Sequence, residues 1–370
     1  MNRPVPALKY LTIKPNIHCT SDCPYCSSRQ MLFQASKDVR LGVDDWARVI
    51  READELGASY LDISGGEPTI YAGLPAVVWE AKRLGWFVSI NTTGFQLEQQ
   101  TDELVSAGLD QACISIMSLD PETHNRLRTS RDGWQRMFAG MRAVAESSLR
   151  LVLHFILSRQ NFRELPEVIS FAFENGANSL AFVYPENDHI DRSLLMTRDD
   201  ISEFRAKVLP EATERYRELG RFGEEFPVMF PDDLVGADYA LGKYWASVEE
   251  AHERCDKPDT FLLVYPNGSV LPCNGIEYAH EPIIGNVLRQ SLREVWSGES
   301  MRGFRDGRIP YCEHCPIKRH CSVSVATTKN PPYYADVVKR VPDFLAPTRP
   351  AVRRGTGERL VLPVVTRDQL

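Results

Sequence analysis

Apolar positions in the first half of the chain follow two alternating rhythms. Short apolar runs read as strands over 10–13, 60–63, 86–90, 111–117, 151–157 and 179–184. Between them lie segments with apolar residues three and four apart. Val43, Trp46, Val49, Ile50 and Ala53 mark a helix over 43–56 that stops at Gly57. The same spacing predicts helices over 74–84, 98–107, 134–146 and 165–174, three of them followed closely by Gly85, Gly108 or Gly176. Six strand-then-helix units with short connections predict an α/β fold with a parallel sheet, curved or doubly wound. Such sheets carry their chemistry on loops at the C-terminal ends of strands. The loop after the first strand holds Cys19, Cys23 and Cys26, and the loop after the second reads Ser64-Gly65-Gly66-Glu67-Pro68-Thr69.

Beyond residue 190 the pattern changes. Polar helices are expected over 199–217 and 234–252. A hairpin is expected over 261–271, turning at Pro266-Asn267-Gly268, and a helix over 292–304. The expected organisation is a barrel over 1–190, a helical linker over 191–252, a small α+β unit over 253–326 and a loosely structured tail over 327–370. No internal repeat is visible.

The 370 residues are 43% hydrophobic and 25% charged, which is ordinary globular composition. A net charge of −7 without a Lys/Arg stripe argues against a general nucleic-acid binder. No apolar run approaches the roughly 20 residues that span a bilayer. The start, Met1 to Pro6, lacks the apolar core of a secretory signal. A cytoplasmic protein with no membrane partner is therefore expected.

The nine cysteines change the picture because they cluster. Three lie within 19–26, three within 312–321, Cys255 and Cys273 precede the second group, and Cys113 stands alone. An odd number in tight groups indicates metal or redox chemistry rather than disulfides. Cys19-x3-Cys23-x2-Cys26 suits iron–sulfur or zinc. Zinc would need a fourth ligand, and His18, the immediate neighbour of Cys19, is badly placed. A three-ligand [4Fe–4S] cluster instead leaves one iron open.

Cys19-Thr20-Ser21-Asp22-Cys23-Pro24-Tyr25-Cys26 resembles the CxxxCxΦC signature of the radical S-adenosylmethionine (SAM) superfamily, with Tyr25 at the aromatic position. Gly65-Gly66-Glu67-Pro68 resembles the family's GGEP motif. The resemblance implies that this segment takes the methionine amino group of SAM, with Glu67 as acceptor. Ser115 to His124 resembles the family's fourth-strand segment, which implies Ser118 on the SAM ribose or carboxylate and Arg128 on the carboxylate. Where the family often has Asn before Gly94, this chain has Thr93, and no role is carried onto it. The implied architecture over about 8–190 is a partial (β/α)6 TIM-like barrel. The implied chemistry is one-electron cleavage of SAM to a 5′-deoxyadenosyl radical that removes hydrogen from a substrate.

Cys255, Cys273, Cys312, Cys315 and Cys321 resemble the SPASM/twitch domains that follow many radical SAM barrels, as do Gly285-Asn286-Val287 and the 292–296 segment. A structural zinc ribbon is the plainer alternative. A full SPASM domain has seven cysteines, whereas Val325 stands three beyond Cys321 and no cysteine follows. One auxiliary [4Fe–4S] cluster is therefore expected, on Cys255, Cys273, Cys315 and either Cys312 or Cys321. An auxiliary cluster favours dehydrogenation or oxidative bond formation, and the resemblance implies an electron donor such as flavodoxin or ferredoxin.

Cys113, inside a strand, reads as a buried inert thiol, with hydrogen return to substrate as its functional alternative. His154, Tyr184, Glu186, Asp188 and His189 fall where a barrel mouth is expected and are candidate proton acceptors or substrate contacts. The expected substrate is a small polar metabolite (sugar, aminocyclitol or nucleoside) in natural-product or antibiotic biosynthesis. The expected outcome is oxidation by preference, or epimerisation, dehydration or decarboxylation. Two features lean that way: only about eight residues precede the first strand, leaving no fused peptide-recognition domain, and the cysteine set falls short of seven. The alternative is a ribosomal-peptide maturase forming a crosslink or thioether. A non-catalytic iron–sulfur or zinc module is the reading from another class, and Gly65-Gly66-Glu67 argues against it.

Overall fold

The structure, a computed structural model, describes residues 5–26, 40–183, 191–219, 228–229, 257–273 and 283–306. Six parallel strands follow the predicted order: β1 (Tyr10–Ile13), β2 (Tyr60–Ile63), β3 (Phe87–Thr92), β4 (Gln111–Ile116), β5 (Arg150–Ile156) and β6 (Ser179–Val183). They pair in sequence order, as right-handed strand–helix–strand units do. The connecting helices are α1 (Val43–Glu55), α2 (Leu74–Arg83), α3 (Leu97–Ala107), α4 (Pro121–Arg128), α5 (Gly133–Glu146) and α6 (Leu165–Glu174). This is the partial TIM-like barrel that the sequence resemblance implies.

Alternation along the strands decides which side chains face the helices. Leu11, Ile13, Leu61, Ile63, Ile90, Ile114, Leu151 and Leu153 are buried in one core with Trp46, Ile50 and Val77 of the helices. The intervening residues, among them Asp62, Ser89, Asn91, Cys113, Ser115 and His154, share the opposite, inner face.

Three features depart from expectation. Helix α4 was absent from the predicted set because Leu127 is nearly its only apolar residue. Its start is nevertheless marked by Asp120, whose side chain accepts from Thr123 N at 2.8 Å, and by Pro121 in the first turn. The single helix expected over 292–304 is two helices, Leu292–Ser297 (α10) and Glu299–Arg305 (α11), broken at Gly298, which is extended. The hairpin of the second unit is not a separate sheet. Its first strand, β8 (Phe261–Val264), pairs in parallel with β1, and β9 (Ser269–Leu271) and β10 (Gly285–Asn286) continue the sheet outward. This second unit is also stitched to α1: Arg48 donates to Val287 O at 2.8 Å and Glu52 accepts from Leu292 N at 2.5 Å.

On the other edge, Arg198–Glu203 (α7) and Leu209–Glu218 (α8) flank a π turn at Phe204–Val208, and β7 (Val228–Met229) pairs with β6. A short helix, Lys257–Thr260 (α9), leads into β8. Among the described residues no helix is long and apolar enough to cross a membrane. The expected helix over 234–252, the tail, and Tyr184, Glu186, Asp188, His189, Cys255, Cys312, Cys315 and Cys321 lie outside the described residues.

Candidate active site at the strand mouth

The two loops singled out in the sequence meet at the C-terminal ends of β1 and β2. Ser64 N donates to Ile13 O (3.0 Å), Gly66 N to Asn16 O (3.2 Å) and Glu67 N to His18 O (2.7 Å). Asn16 returns a bond from its side-chain nitrogen to Glu67 O at 3.0 Å. The glycines make this approach possible. A Cβ on Gly66 would lie 1.8 Å from His18 O, and Gly65 has φ 122° with Asn16 O only 2.7 Å from its missing Cβ. The close partner of both glycines is thus the backbone leading into Cys19.

Glu67 is fully buried, and its carboxylate is already occupied. One oxygen accepts from Thr69 N (3.1 Å), Thr69 Oγ1 (2.7 Å) and Thr92 Oγ1 (2.5 Å). The other accepts from Thr93 N (2.7 Å) and Thr93 Oγ1 (2.6 Å). Five donors converge on this carboxylate, and the side chain ties the β2 loop to the end of β3. Thr93, given no role from the sequence, supplies two of the five bonds.

The cysteine loop docks on its other side against the end of α4. Asp22 N and Cys23 Sγ both reach Arg128 O, at 3.2 and 3.9 Å. Thr129 Oγ1 donates to Asp22 O at 3.0 Å. The Tyr25 hydroxyl contacts Met117 Sδ at 2.8 Å, and its phenol is held well above the usual range by burial. Arg128 is 5% exposed; one terminal nitrogen donates to Ser115 O at 2.7 Å, and its Nε has no partner. Burial opposes its charge, but Tyr25, Cys23, Cys19 and Glu67 around it raise its pKa above the ordinary arginine value. A buried cation with a spare donor beside three thiols suits an anionic group.

Ser118 is fully buried and donates to both oxygens of Glu164, at 2.8 and 3.0 Å, while Leu119 N donates to the same carboxylate at 2.7 Å. Asn161 donates to Met117 O (2.6 Å) and Ile156 O (2.7 Å), clamping the ends of β4 and β5 together. Neither Asn161 nor Glu164 was singled out in the sequence. Their one signal there is two polar residues in the turn after the fifth strand.

Two other candidates sit elsewhere. Cys113 is within β4, level with Asn91 and Val152, about 13 Å along the strand from Met117. It is held by Ser89 Oγ (3.5 Å) and Gln111 Nε2 (3.3 Å), and burial pushes its thiol up to about 12. His154, level with Ser115, is pushed down to about 4 by burial and stays neutral at ordinary pH.

The residues fit an iron–sulfur cluster with SAM. Cys19, Cys23 and Cys26 lie on one loop in no disulfide, mutually close enough that Cys23 and Cys26 help raise the Cys19 thiol, whose pKa burial pushes up to about 11. Among the described residues no three side chains converge on a single metal ion. A four-iron cube asks for less, since each thiolate holds a different iron. Cys273 is 8% exposed, two residues beyond β9, and packs in the main core.

Comparison with known proteins agrees with this geometry. Residues 13–172 match the radical SAM superfamily, and residues 255–316 match the SPASM iron–sulfur cluster-binding domain. The PqqA peptide cyclase of Rhizobium meliloti (strain 1021) is 29% identical over 309 residues, covering 81% of this chain and 77% of its own length. The PqqA peptide cyclase of Granulibacter bethesdensis is 27% identical over 286 residues, covering 76% and 71%. The crystal structure of Streptococcus suis SuiB bound to precursor peptide SuiA shares the fold, with TM-score 0.61, 19% identity and coverage of 90% and 76%.

Relatives named for a peptide overturn the expectation of a small polar metabolite, and they remove the preference for a dehydrogenase. A short stretch before β1 and an incomplete cysteine set do not discriminate, because a separate chain can recognise the peptide. The two domain matches also fix the cofactors as a [4Fe–4S] cluster with SAM and an auxiliary iron–sulfur cluster. The chain is a radical SAM enzyme with a SPASM domain behind its barrel.

Proposed function

We propose that this enzyme modifies a ribosomally made peptide, joining two of its positions through a radical crosslink. The observation that carries this reading is the 29% identity to a PqqA peptide cyclase across 81% of the chain. The site residues we assign are Cys19, Cys23 and Cys26 for the SAM cluster, and Cys273 with Cys255, Cys312, Cys315 and Cys321 as the pool for the auxiliary cluster. Bound there, the cluster and SAM supply a 5′-deoxyadenosyl radical.

The chain's own residues supply the positioning. The Gly65-Gly66 backbone and Pro68 form one wall of the SAM site, held in place by the Glu67 knot. Arg128 offers a buried positive charge to the SAM carboxylate, Tyr25 closes the cysteine loop over Met117, and Ser118 fixes the end of β4 through Glu164. Two hydrogen bonds join α1 to the second unit, from Arg48 to Val287 O and from Leu292 N to Glu52, and so tie that unit to the barrel. Reduction comes from a small electron-transfer protein of the flavodoxin or ferredoxin class.

The test is an anaerobic reaction of reconstituted enzyme, SAM, reductant and a candidate precursor peptide. Crosslinking takes two hydrogens from the peptide, one as the atom that becomes part of 5′-deoxyadenosine and one as a proton released to solvent with an electron for which the auxiliary cluster would be the acceptor, so mass spectrometry should show that loss together with one deoxyadenosine per crosslink. SAM cleavage driven by a sugar or aminocyclitol, with every precursor peptide inert, would contradict the proposal.

A further inference from the structure

Thr129 is, among the described residues, the one non-glycine residue in the left-handed backbone region, with φ 52°. It follows the last turn of α4, where Thr129 N donates to Arg126 O (3.2 Å) and Ser130 N to Asn125 O (2.9 Å). Helix ends that close in this way usually place glycine at this position, sometimes asparagine. A β-branched residue there is strained, because its Cβ crowds the following carbonyl. Capping accounts for the backbone bend but not for threonine.

The hydroxyl does account for it. Thr129 Oγ1 donates to Asp22 O at 3.0 Å. The same bend turns Arg128 O toward Asp22 N and Cys23 Sγ. One strained turn therefore grips the middle of the cysteine loop at three points, two on Asp22 and one on the second cysteine, Cys23. Strain of this kind persists where the surroundings over-determine it, typically at functional sites. We infer that Thr129 is a positioning residue, kept against local strain because its hydroxyl holds the Cys19–Cys26 loop closed around the cluster. It acts through Asp22 and Cys23. The inference rests on the front loop as the cluster site and not on the peptide reading.

The consequence is that local stability and cluster retention pull in opposite directions at this residue. Thr129→Gly removes both strain and hydroxyl, Thr129→Val keeps the branch and loses the hydroxyl, and Thr129→Ser keeps the hydroxyl. Each reconstituted holoenzyme is challenged with excess chelator under anaerobic conditions, and iron loss is followed by the cluster's visible absorption. The metal-free proteins are melted in parallel. Losing one hydrogen bond from the closed loop predicts about threefold faster iron release in the Gly and Val variants, and wild-type release in the Ser variant. The Gly variant is expected to melt above wild type while holding its cluster less well, an opposition that a purely structural residue would not show. Should the Val variant fail to fold, the Gly and Ser pair still decides. Iron release from the Gly variant at the wild-type rate would overturn the inference, as would a Ser variant that releases as fast as Gly. A wild-type chain that takes up no iron would remove the site itself, a distinguishable failure.

Discussion

The mouth of the barrel and the strand interior beneath it are both rich in buried polar side chains, yet they use them differently. At the mouth the bonds run between loops: Glu67 joins the ends of β2 and β3, Glu164 ties the turn after β5 to the end of β4, and Thr129 joins α4 to the cysteine loop. Beneath it they run between neighbouring strands. Asn91 donates to Asp62 at 2.6 Å, Gln111 and Cys113 of β4 both reach Ser89 of β3, and Tyr60 stacks on Phe87 with centroids 5.2 Å apart. The lower network leaves a neutral acceptor, Gln111 Oε1, without a partner, whereas the upper one holds a cation, Arg128, with an unpaired nitrogen beside the thiols. A cysteine's setting thus follows its place along the strand: on the loop it lies beside Arg128 with its unpaired nitrogen, and inside β4 Cys113 is a core residue bonded to Ser89 and Gln111.

The largest disturbance short of removing a ligand should come from Glu67→Gln. The amide replaces one acceptor oxygen with an NH2 whose hydrogens face groups that donate, so those donors lose their acceptor and roughly 3 kcal/mol of stability is expected to go, measured by chemical denaturation. SAM binding should weaken at least about tenfold, since 1.4 kcal/mol is already that factor.

Acid should act next. His124 is buried, and burial together with Arg128 pushes it down to about 3 from an unfolded value near 6.5. As pH falls below 6.5 the unfolded chain takes a proton that the folded chain refuses, so stability declines until the folded value is reached. At pH 4.5 the deficit is about 2–3 kcal/mol. His154, pushed down to about 4, adds a loss of the same sign in that window. His124→Asn preserves an acceptor for Met117 N and should flatten the decline, read as the difference in unfolding free energy at pH 7 and 4.5.

Ser118→Ala strips the Glu164 carboxylate of its hydroxyl partner and should cost about 1–2 kcal/mol in the same assay. The smallest effect belongs below the mouth. Cys113→Ser keeps a donor and an acceptor between Ser89 and Gln111 and should change stability by less than about 1 kcal/mol. A large loss of substrate turnover in that variant, with SAM cleavage intact, would move Cys113 into the chemistry.

The strand–helix rhythm and both mouth loops were legible because each rests on local residues: apolar spacing, glycine stops and three cysteines in eight positions. Helix α4 was illegible to that rhythm because it packs through Leu127 and buried polar residues. The knot of bonds at Glu67 was illegible because its five donors come from the end of β3 and from its own loop, a convergence that exists only after folding. Glu164 and Asn161 were invisible for the same reason, since their partners are 44 to 46 residues away. The joining of β8 to β1 pairs Tyr10 with Phe261, far apart along the chain, and leaves no local mark. The substrate class was misjudged because peptide recognition does not have to be written in the barrel.

The contrast between mouth and strand interior is tested most directly by 5′-deoxyadenosine yield from reconstituted enzyme with SAM and reductant, normalised to iron content. The account predicts that replacing Cys19, Cys23 and Cys26 with alanine abolishes deoxyadenosine formation and lowers the iron content, while Cys113→Ser leaves both at wild-type levels. Deoxyadenosine formed without the front thiols, or lost with Cys113 alone, would contradict it.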